Sequence, residues 1–420
     1  VTEQPRQPAP RRGTNLPRMG DFNLTVILDA IRRSEAGLSR VELAQLVGLS
    51  PQTISNISRR LLDQKLIVEA GKEGTGPGKP RTILRLNPKG MYAMGVHLDP
   101  ALITVVLLDL VGSVVEKNTF VTPQSHDPQE IVDAIAECVE KLLAHSGVDR
   151  SLVAGLGVAA PGPIDLERGA VVGPPLLHGW VDVPLQDMVH RATGLPTTVD
   201  KDVTGAAVAE IWAGGPGGSG SFIFFYLGTG LGCGLVLNGE VYRGASGNAG
   251  EIGHIIVDPD GPVCSDGCGM RGTIGTVLEP QVIVSQAVVA GILPVLPDNP
   301  TARDFQGAFA RLSELAGEGD ETAISIMRGA ARSLAWGVSV VGNLVDVDRM
   351  VFGGPFWHPV AGFVLDVLPD LVNARLATQG IHRVRLDGTR LGEDVGAVGA
   401  ACLVLERALA PRAERLLLEG

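Results

Sequence analysis

Between Leu227 and His254 the chain has 28 residues, nine of them glycine, set among short apolar segments. Gly228, Gly230, Gly232 and Gly234 lack the β-carbon that would hold a ligand away, so their amides can approach an anion such as phosphate. The pattern predicts a strand, a glycine turn and a second strand, and Asn238-Gly239 then makes a hairpin turn. The run closes on Gly250-Glu251-Ile252-Gly253-His254. Small residues there leave a carboxylate and an imidazole free to reach a polyhydroxylated ligand.

The 420 residues are too many for one ordinary core, and two or three domains are expected. Hydrophobic residues at 45% against 19% charged exclude a largely disordered chain. No apolar run reaches the roughly 18 residues that span a bilayer. The N-terminus is polar and carries no secretory h-region, so a cytoplasmic location is expected. Five cysteines, an odd and sparse number, argue against a disulfide framework.

The net charge of −11 is unevenly divided. Residues 1–90 hold 15 Lys/Arg and 8 Asp/Glu, whereas residues 91–420 hold 20 and 38. A small basic segment on a large acidic body predicts that only the former meets a polyanion.

Residues 1–20 are rich in Pro, Arg and Gln and read as a mobile basic arm; residues 21–88 read as the DNA-binding domain. Phe22, Val26, Ile27, Ala30 and Ile31 share one face of a first helix. Ser39 caps a second and forms a capping box with Glu42. Val41, Leu43, Ala44 and Leu46 are its apolar positions, and Gly48 stops it. Ser50 caps a third helix with Pro51 at its first position. Ile54, Ile57, Leu61 and Leu62 face inward, leaving Gln52, Thr53, Ser55, Asn56, Arg59 and Arg60 outside. Two short strands around a glycine-rich tip follow, with Lys72, Lys79, Arg81 and Arg85. This is a winged helix-turn-helix.

Gln52, Thr53, Ser55, Asn56 and Arg59 would face the major groove, where Gln and Asn suit adenine and Arg suits guanine or phosphate. Lys79 and Arg81 would reach phosphates or the minor groove. After Asn87-Pro88, strands alternate with helices, and Asp127 is placed to cap a helix over 128–145. Alternating β and α segments indicate an α/β body of two lobes, residues 89–200 and 201–420, with a cleft between them.

The whole set of motifs resembles the ROK family (repressor, open reading frame, kinase), sugar kinases and sugar-responsive transcription factors. The resemblance rests on Ala160-Pro161-Gly162-Pro163, Gly179-Trp180, Asp200-Lys201-Asp202, the Gly228–His254 run, Gly353-Gly354 and the stretch from Gly392 to Ala400. It implies a two-lobed, actin-like, sugar-kinase-like ATPase-type fold behind the winged helix-turn-helix, as in the family's regulators. Asp202 matches the catalytic aspartate, which in kinases deprotonates a sugar hydroxyl and in regulators only hydrogen-bonds it. Glu251 and His254 match sugar-binding positions. Lys201 stands where the family usually has a sugar-binding Asn, and could favour an anionic ligand or fill the pocket by pairing with an acid. Leu176 replaces another frequent Asn.

The family's kinases open their first strand with an Asp-x-Gly-x-Thr phosphate loop. His97, Asp99 and Ala101 occupy those three positions here, so ATP is not expected as a cofactor. The resemblance also implies a structural zinc held by a His and three cysteines. His254, Cys264 and Cys268 remain, Thr273 stands in the third cysteine's place, and Asp266 or a water could complete the set.

Three functional readings follow. The first is a DNA-binding transcriptional regulator, a repressor, tuned by a sugar or sugar derivative in the interlobe cleft. The second is a DNA-binding regulator whose body no longer takes a ligand, and the third is an active sugar kinase. The substituted phosphate loop speaks against the last. A homodimer or homotetramer on double-stranded operator DNA is expected, because paired half-sites raise affinity and specificity.

Overall fold

A computed structural model describes residues 16–73, 81–123, 125, 127–174, 177, 179–213, 220–228, 230–264, 268–298 and 300–409. Two compact units share the chain. One contains residues 1–92 with 109–111 and 405–420, and the other contains 93–108 and 112–404.

In the N-terminal unit, α1 (Leu16–Arg32), α2 (Arg40–Val47) and α3 (Pro51–Asp63) pack around Ile27, Leu43, Ile54 and Leu61, all fully buried. Helix α1 begins at Leu16, inside the expected arm; Pro17 suits a first turn, where its missing N–H is not needed. Residues 1–15 of that arm lie outside the described residues. Ser39 and Glu42 form the reciprocal capping box, with Glu42 N to Ser39 Oγ at 3.3 Å and Ser39 N to Glu42 Oε2 at 2.8 Å. Gly48 ends α2 in the left-handed conformation. Val41 and Leu46, expected in the core, are instead exposed, because α2 is short and buries only the side carrying Leu43. The wing is β2 (Ile67–Glu73) against β3 (Arg81–Leu86), and β1 (Leu38–Ser39) adds a third strand along β3.

The larger unit is built on two five-stranded sheets. The first comprises β4 (Tyr92–Leu98), β5 (Leu102–Asp109), β6 (Val114–Val121), β7 (Val153–Ala160) and, after the small β8 (Ile164–Asp165) and β9 (Ala170–Val171) pair, β10 (Thr197–Lys201). Its order is β10-β7-β4-β5-β6. Helices α4 (Pro128–Ser146) and α5 (Leu185–Thr193) pack together. Asp127 caps α4 as expected, accepting from Gln129 N at 2.9 Å. Helix α6 (Asp202–Ala213) follows β10 directly.

The second sheet, ordered β13-β12-β11-β14-β15, uses β11 (Phe222–Leu227), β12 (Leu231–Leu237), β13 (Glu240–Tyr242), β14 (Arg349–Gly353) and β15 (Arg385–Gly388). Around it lie α7 (Ile274–Val277), α8 (Pro280–Val289), α9 (Ala302–Gly317), α10 (Glu321–Val345) and α11 (Ala361–Asn373). Their core includes Phe225 stacked on Phe352, and Phe352 on Trp357.

The last helix, α12 (Val395–Leu409), corrects the assignment of all of 201–420 to the second lobe. It returns to the first sheet, and glycines set the approach. A β-carbon on Gly95 would lie 2.1 Å from Ala397 O, and one on Gly157 would lie 1.8 Å from Ala400 O. Helix α6 touches both sheets: Gly205 faces Ala159 of β7, while Gly234 of β12 faces Val203 and Ala207.

Candidate nucleic-acid interface and ligand site

Helix α3 presents Gln52, Asn56, Arg59 and Arg60 to solvent, while Thr53 and Ser55 are partly buried. Gln52 Nε2 lies 3.4 Å from Asn56 Oδ1, so these two amides share one edge of the helix. Thr53 also belongs to the cap, with its hydroxyl 2.9 Å from that of Ser50. Arg60 pairs with Asp21 at 3.1 Å, which leaves Arg59 as the more available cation. Arg81 is exposed at the start of β3; Lys79 lies outside the described residues. The turn after α3 is joined to the chain that leaves the wing: Asn87 Nδ2 donates to Lys65 O at 2.7 Å, and Asn87 N to Leu66 O at 2.9 Å.

Lys201 ends β10, and its side chain is almost wholly buried. Its ammonium donates to Glu251 Oε1, to Ala249 O at 3.3 Å and to Asn248 O at 3.5 Å. Three acceptors match the three donors of an ammonium. Of the two roles open to it from sequence, Lys201 therefore takes pairing with an acid. Sequence reasoning missed its neighbour Asn248, whose amide accepts from Ile164 N at 2.8 Å and donates to Ile164 O at 2.9 Å. Gly162 lies against the same pair, where a β-carbon would be 3.1 Å from Lys201 Cε. Asp200 receives Arg243 Nε at 2.9 Å. The 243–251 segment is thus fastened to the end of β10 and to Ile164 of β8.

Asp202 opens α6 and accepts from Val203 N at 2.7 Å. Burial raises its carboxyl above the usual carboxylate range; the charge of His97, the Val203 amide and Lys201 oppose the rise, and Asp99 adds to it. His97 and Asp99 therefore share its surroundings. His97 is buried at the end of β4, with Tyr226 Oη 3.2 Å from its Nε2 and a β-carbon on Gly396 excluded by its ring. Asp99 Oδ1 accepts from Ala101 N at 2.8 Å, and Thr122 donates to Asp99 O at 2.7 Å. The turn's own carboxylate thus occupies the Ala101 amide.

His254 is exposed and is brought to the cysteines: its ligand atoms and those of Cys264 and Cys268 all lie within 4.8 Å of one another. That spacing suits three donors around one small cation. Thr273 is committed elsewhere, since it caps α7 and its hydroxyl donates to Thr276 Oγ1 at 3.0 Å. Asp266 and Leu176 lie outside the described residues.

The ROK family profile matches residues 93–407. The chain belongs to the ROK family. A winged helix-turn-helix DNA-binding profile matches residues 26–68. A putative xylose repressor from Caldicellulosiruptor sp. (strain Rt8B.4) is 26% identical over 376 residues, 89% of this chain and 93% of that one. A glucokinase from Thermotoga maritima (strain ATCC 43589 / DSM 3109 / JCM 10099 / NBRC 100826 / MSB8) is 27% identical over 321 residues, 75% of this chain and 97% of that one.

Among solved structures, a ROK family transcriptional regulator described as a homologue of the E. coli MLC protein superposes with TM-score 0.75 at 24% identity. That likeness covers 95% of this chain and 98% of the other, and it concerns the fold. A ROK family glucokinase from Streptomyces griseus, in complex with glucose and AMPPNP, gives TM-score 0.63 at 28% identity over 74% of this chain and 98% of the other. Among the described residues no helix is long and apolar enough to cross a membrane.

Proposed function

We propose that this ROK protein is a sequence-specific DNA-binding transcriptional regulator, a repressor, whose operator affinity responds to a sugar or sugar derivative. The observation that carries the reading is α3, an exposed polar helix of a winged helix-turn-helix, on a chain whose body belongs to a family of sugar kinases and regulators. Gln52, Asn56 and Arg59 read base edges, Thr53 and Ser55 set the helix on the backbone, and Arg81 with Lys79 meets phosphates. The protein acts as a homodimer or homotetramer, so that two recognition helices meet two half-sites.

The effector lies against Asp202, Glu251 and His254. Lys201 borders the site as a neutralised ion, so plain hydrogen bonding to hydroxyls is the recognition mode. Such a ligand shifts DNA affinity only through unequal affinity for two conformations, and a coupling of about 1–3 kcal/mol makes a switch. The hydrogen bond from Asn87 ties the chain leaving the wing to the turn after α3.

Catalysis by ATP is absent in this reading. A phosphate cradle needs amides that point at the anion, and here Asp99 both occupies the Ala101 amide and adds negative charge. A zinc ion held by His254, Cys264 and Cys268 would fix the turn that carries His254, a structural role that takes no part in any reaction.

The deciding experiment is selection of DNA from a random pool by the full chain, followed by sugar titration into the resulting complex. Recovery of no common sequence would refute DNA recognition. A defined operator whose affinity no sugar changes, with Glu251→Ala behaving like wild type, would leave a regulator without a ligand.

A further inference from the structure

Tetrahedral zinc takes four donors, and at this site the described residues offer three. His254, Cys264 and Cys268 bring their ligand atoms within 4.8 Å of one another. Thr273 does not make a fourth. It is fully buried, its hydroxyl donates to Thr276 Oγ1 at 3.0 Å, and the same oxygen accepts from Thr276 N at 3.5 Å. That hydroxyl is spent on starting α7, and it lacks the negative charge of a thiolate.

The chain around the two cysteines is closed by its own backbone. Cys264 N donates to Met270 O at 2.8 Å, Gly272 N to Pro262 O at 2.8 Å and Val257 N to Gly272 O at 2.9 Å. These bonds hold Cys264 beside the chain that follows Cys268 whether or not an ion is bound, so the two sulfurs remain neighbours. Their exposures differ, Cys268 facing solvent and Cys264 being buried. Cys138, Cys233 and Cys402 are buried as well. Burial pushes the Cys233 thiol up to about 12 and raises that of Cys138, so those two stay protonated and unreactive. Of the five cysteines, Cys268 is the one a dissolved oxidant reaches first.

We propose that Cys264 and Cys268 form a metal-gated thiol switch: zinc on His254, Cys264 and Cys268 keeps its fourth position open to an outside donor, and without zinc the two thiols close to a disulfide. The oxidant is a peroxide. The Cys268 thiolate attacks one peroxide oxygen, the O–O bond breaks, and hydroxide leaves behind a sulfenic acid. The Cys264 thiolate then attacks that sulfur, forming the S–S bond and displacing a second hydroxide. With the two thiol protons these make two waters: the thiols are oxidised and hydrogen peroxide is reduced. Zinc and the disulfide exclude each other, because both use the same sulfur electron pairs.

The gating rests on the zinc reading given above, whereas the disulfide does not, and neither depends on the DNA or sugar reading. The full chain, reduced and stripped of metal with a chelator, is titrated with cobalt(II), whose visible bands report thiolate ligands. One ion should bind per chain, and added imidazole should shift the bands by entering the open position. Asp266→Ala should keep the cobalt affinity within about threefold of wild type, where losing a ligand would cost on the order of tenfold or more. Hydrogen peroxide is then added to the metal-free chain, and peptide mapping should find Cys264 joined to Cys268. Zinc added first should slow that bond on the order of tenfold or more. The oxidised chain should bind no cobalt until a reductant is supplied. Absence of cobalt binding by the reduced chain overturns the zinc reading and the gating with it, even where the disulfide forms. Bands indifferent to imidazole, or affinity lost in Asp266→Ala, overturn the open position while leaving the zinc reading in place. A disulfide that never forms, or forms equally fast with zinc bound, overturns the switch.

Discussion

Tyr226 Oη meets His97 Nε2 at 3.2 Å, with the two rings edge to face at 5.9 Å between centroids. The contact joins β11 to β4, and His97 is the first of the three positions that the resemblance aligns with the kinases' phosphate loop. On the proposed reading, a buried phenol and imidazole stand where a kinase would use a carboxylate to serve a metal-bound nucleotide.

Sugar-dependent ADP release should consequently be no greater for the wild-type protein than for Asp202→Asn. A coupled assay with glucose, xylose and N-acetylmannosamine at millimolar MgATP checks this. Turnover above that blank would contradict the proposed loss of kinase activity.

The Lys201–Glu251 pair predicts an asymmetry. Lys201 has 3% of its side chain exposed and Glu251 57%. Glu251→Ala leaves a buried ammonium with only two carbonyl partners and should cost about 2 kcal/mol. Lys201→Met leaves a carboxylate that water can reach and should change stability by less than about 1 kcal/mol. Urea unfolding of the two variants measures the difference, and equal losses would speak against the buried-cation account.

Asp202 predicts a pH dependence opposite in sign to that of an ordinary salt-bridged carboxylate. Its carboxyl is raised in the folded state, chiefly by burial, so the folded chain holds the proton more tightly than the unfolded chain does. The group then weakens the fold above its raised value, and stability returns as the pH falls through that value toward the ordinary 3.8. Asp202→Asn, which keeps an acceptor for Val203 N, should be more stable than wild type at neutral pH. The gap should close on acidification. Unfolding curves across that range test it, and a gap that widens toward acid would reverse the assignment.

On DNA, Asn56→Ala and Arg59→Ala should each cost about 1–3 kcal/mol of operator affinity and relax sequence preference. Arg81→Ala should weaken binding to all sequences alike and lower the salt slope by about one. Fluorescence anisotropy at several salt concentrations separates the two patterns. Wild-type affinity in Asn56→Ala would remove α3 from the groove.

What was legible in the sequence was what is local. The caps at Ser39, Ser50 and Asp127 lie within three residues of the groups they bond, so their signals survive in a linear reading. The family motifs, which are local runs too, name Asp202, Glu251 and His254 as candidates for the proposed ligand site. Strand β1 was invisible, because two residues become a strand only by pairing Leu38 with Leu84 and Ser39 with Ile83. Val41 and Leu46 misled, since apolar spacing on so short a helix does not say which side is covered. The pairings of Lys201 with Glu251 and of His97 with Tyr226 join residues 50 and 129 positions apart, and no local pattern announces either. Glu210 on α6, fully buried and bonded to Arg349 at 2.6 Å, was missed likewise.

The return of α12 has a consequence for how the molecule is made. A ribosome releases β4, β7 and α6 long before Val395, and any shorter nascent chain carries the face of Gly95 and Gly157 uncovered. Those glycines have no side chains with which to shield that face, and Ala397 and Ala400 cover it at backbone distance. The first lobe is therefore begun early and completed last. Until α12 has emerged, that face of the sheet is open, the situation in which exposed strands aggregate and chaperones are engaged.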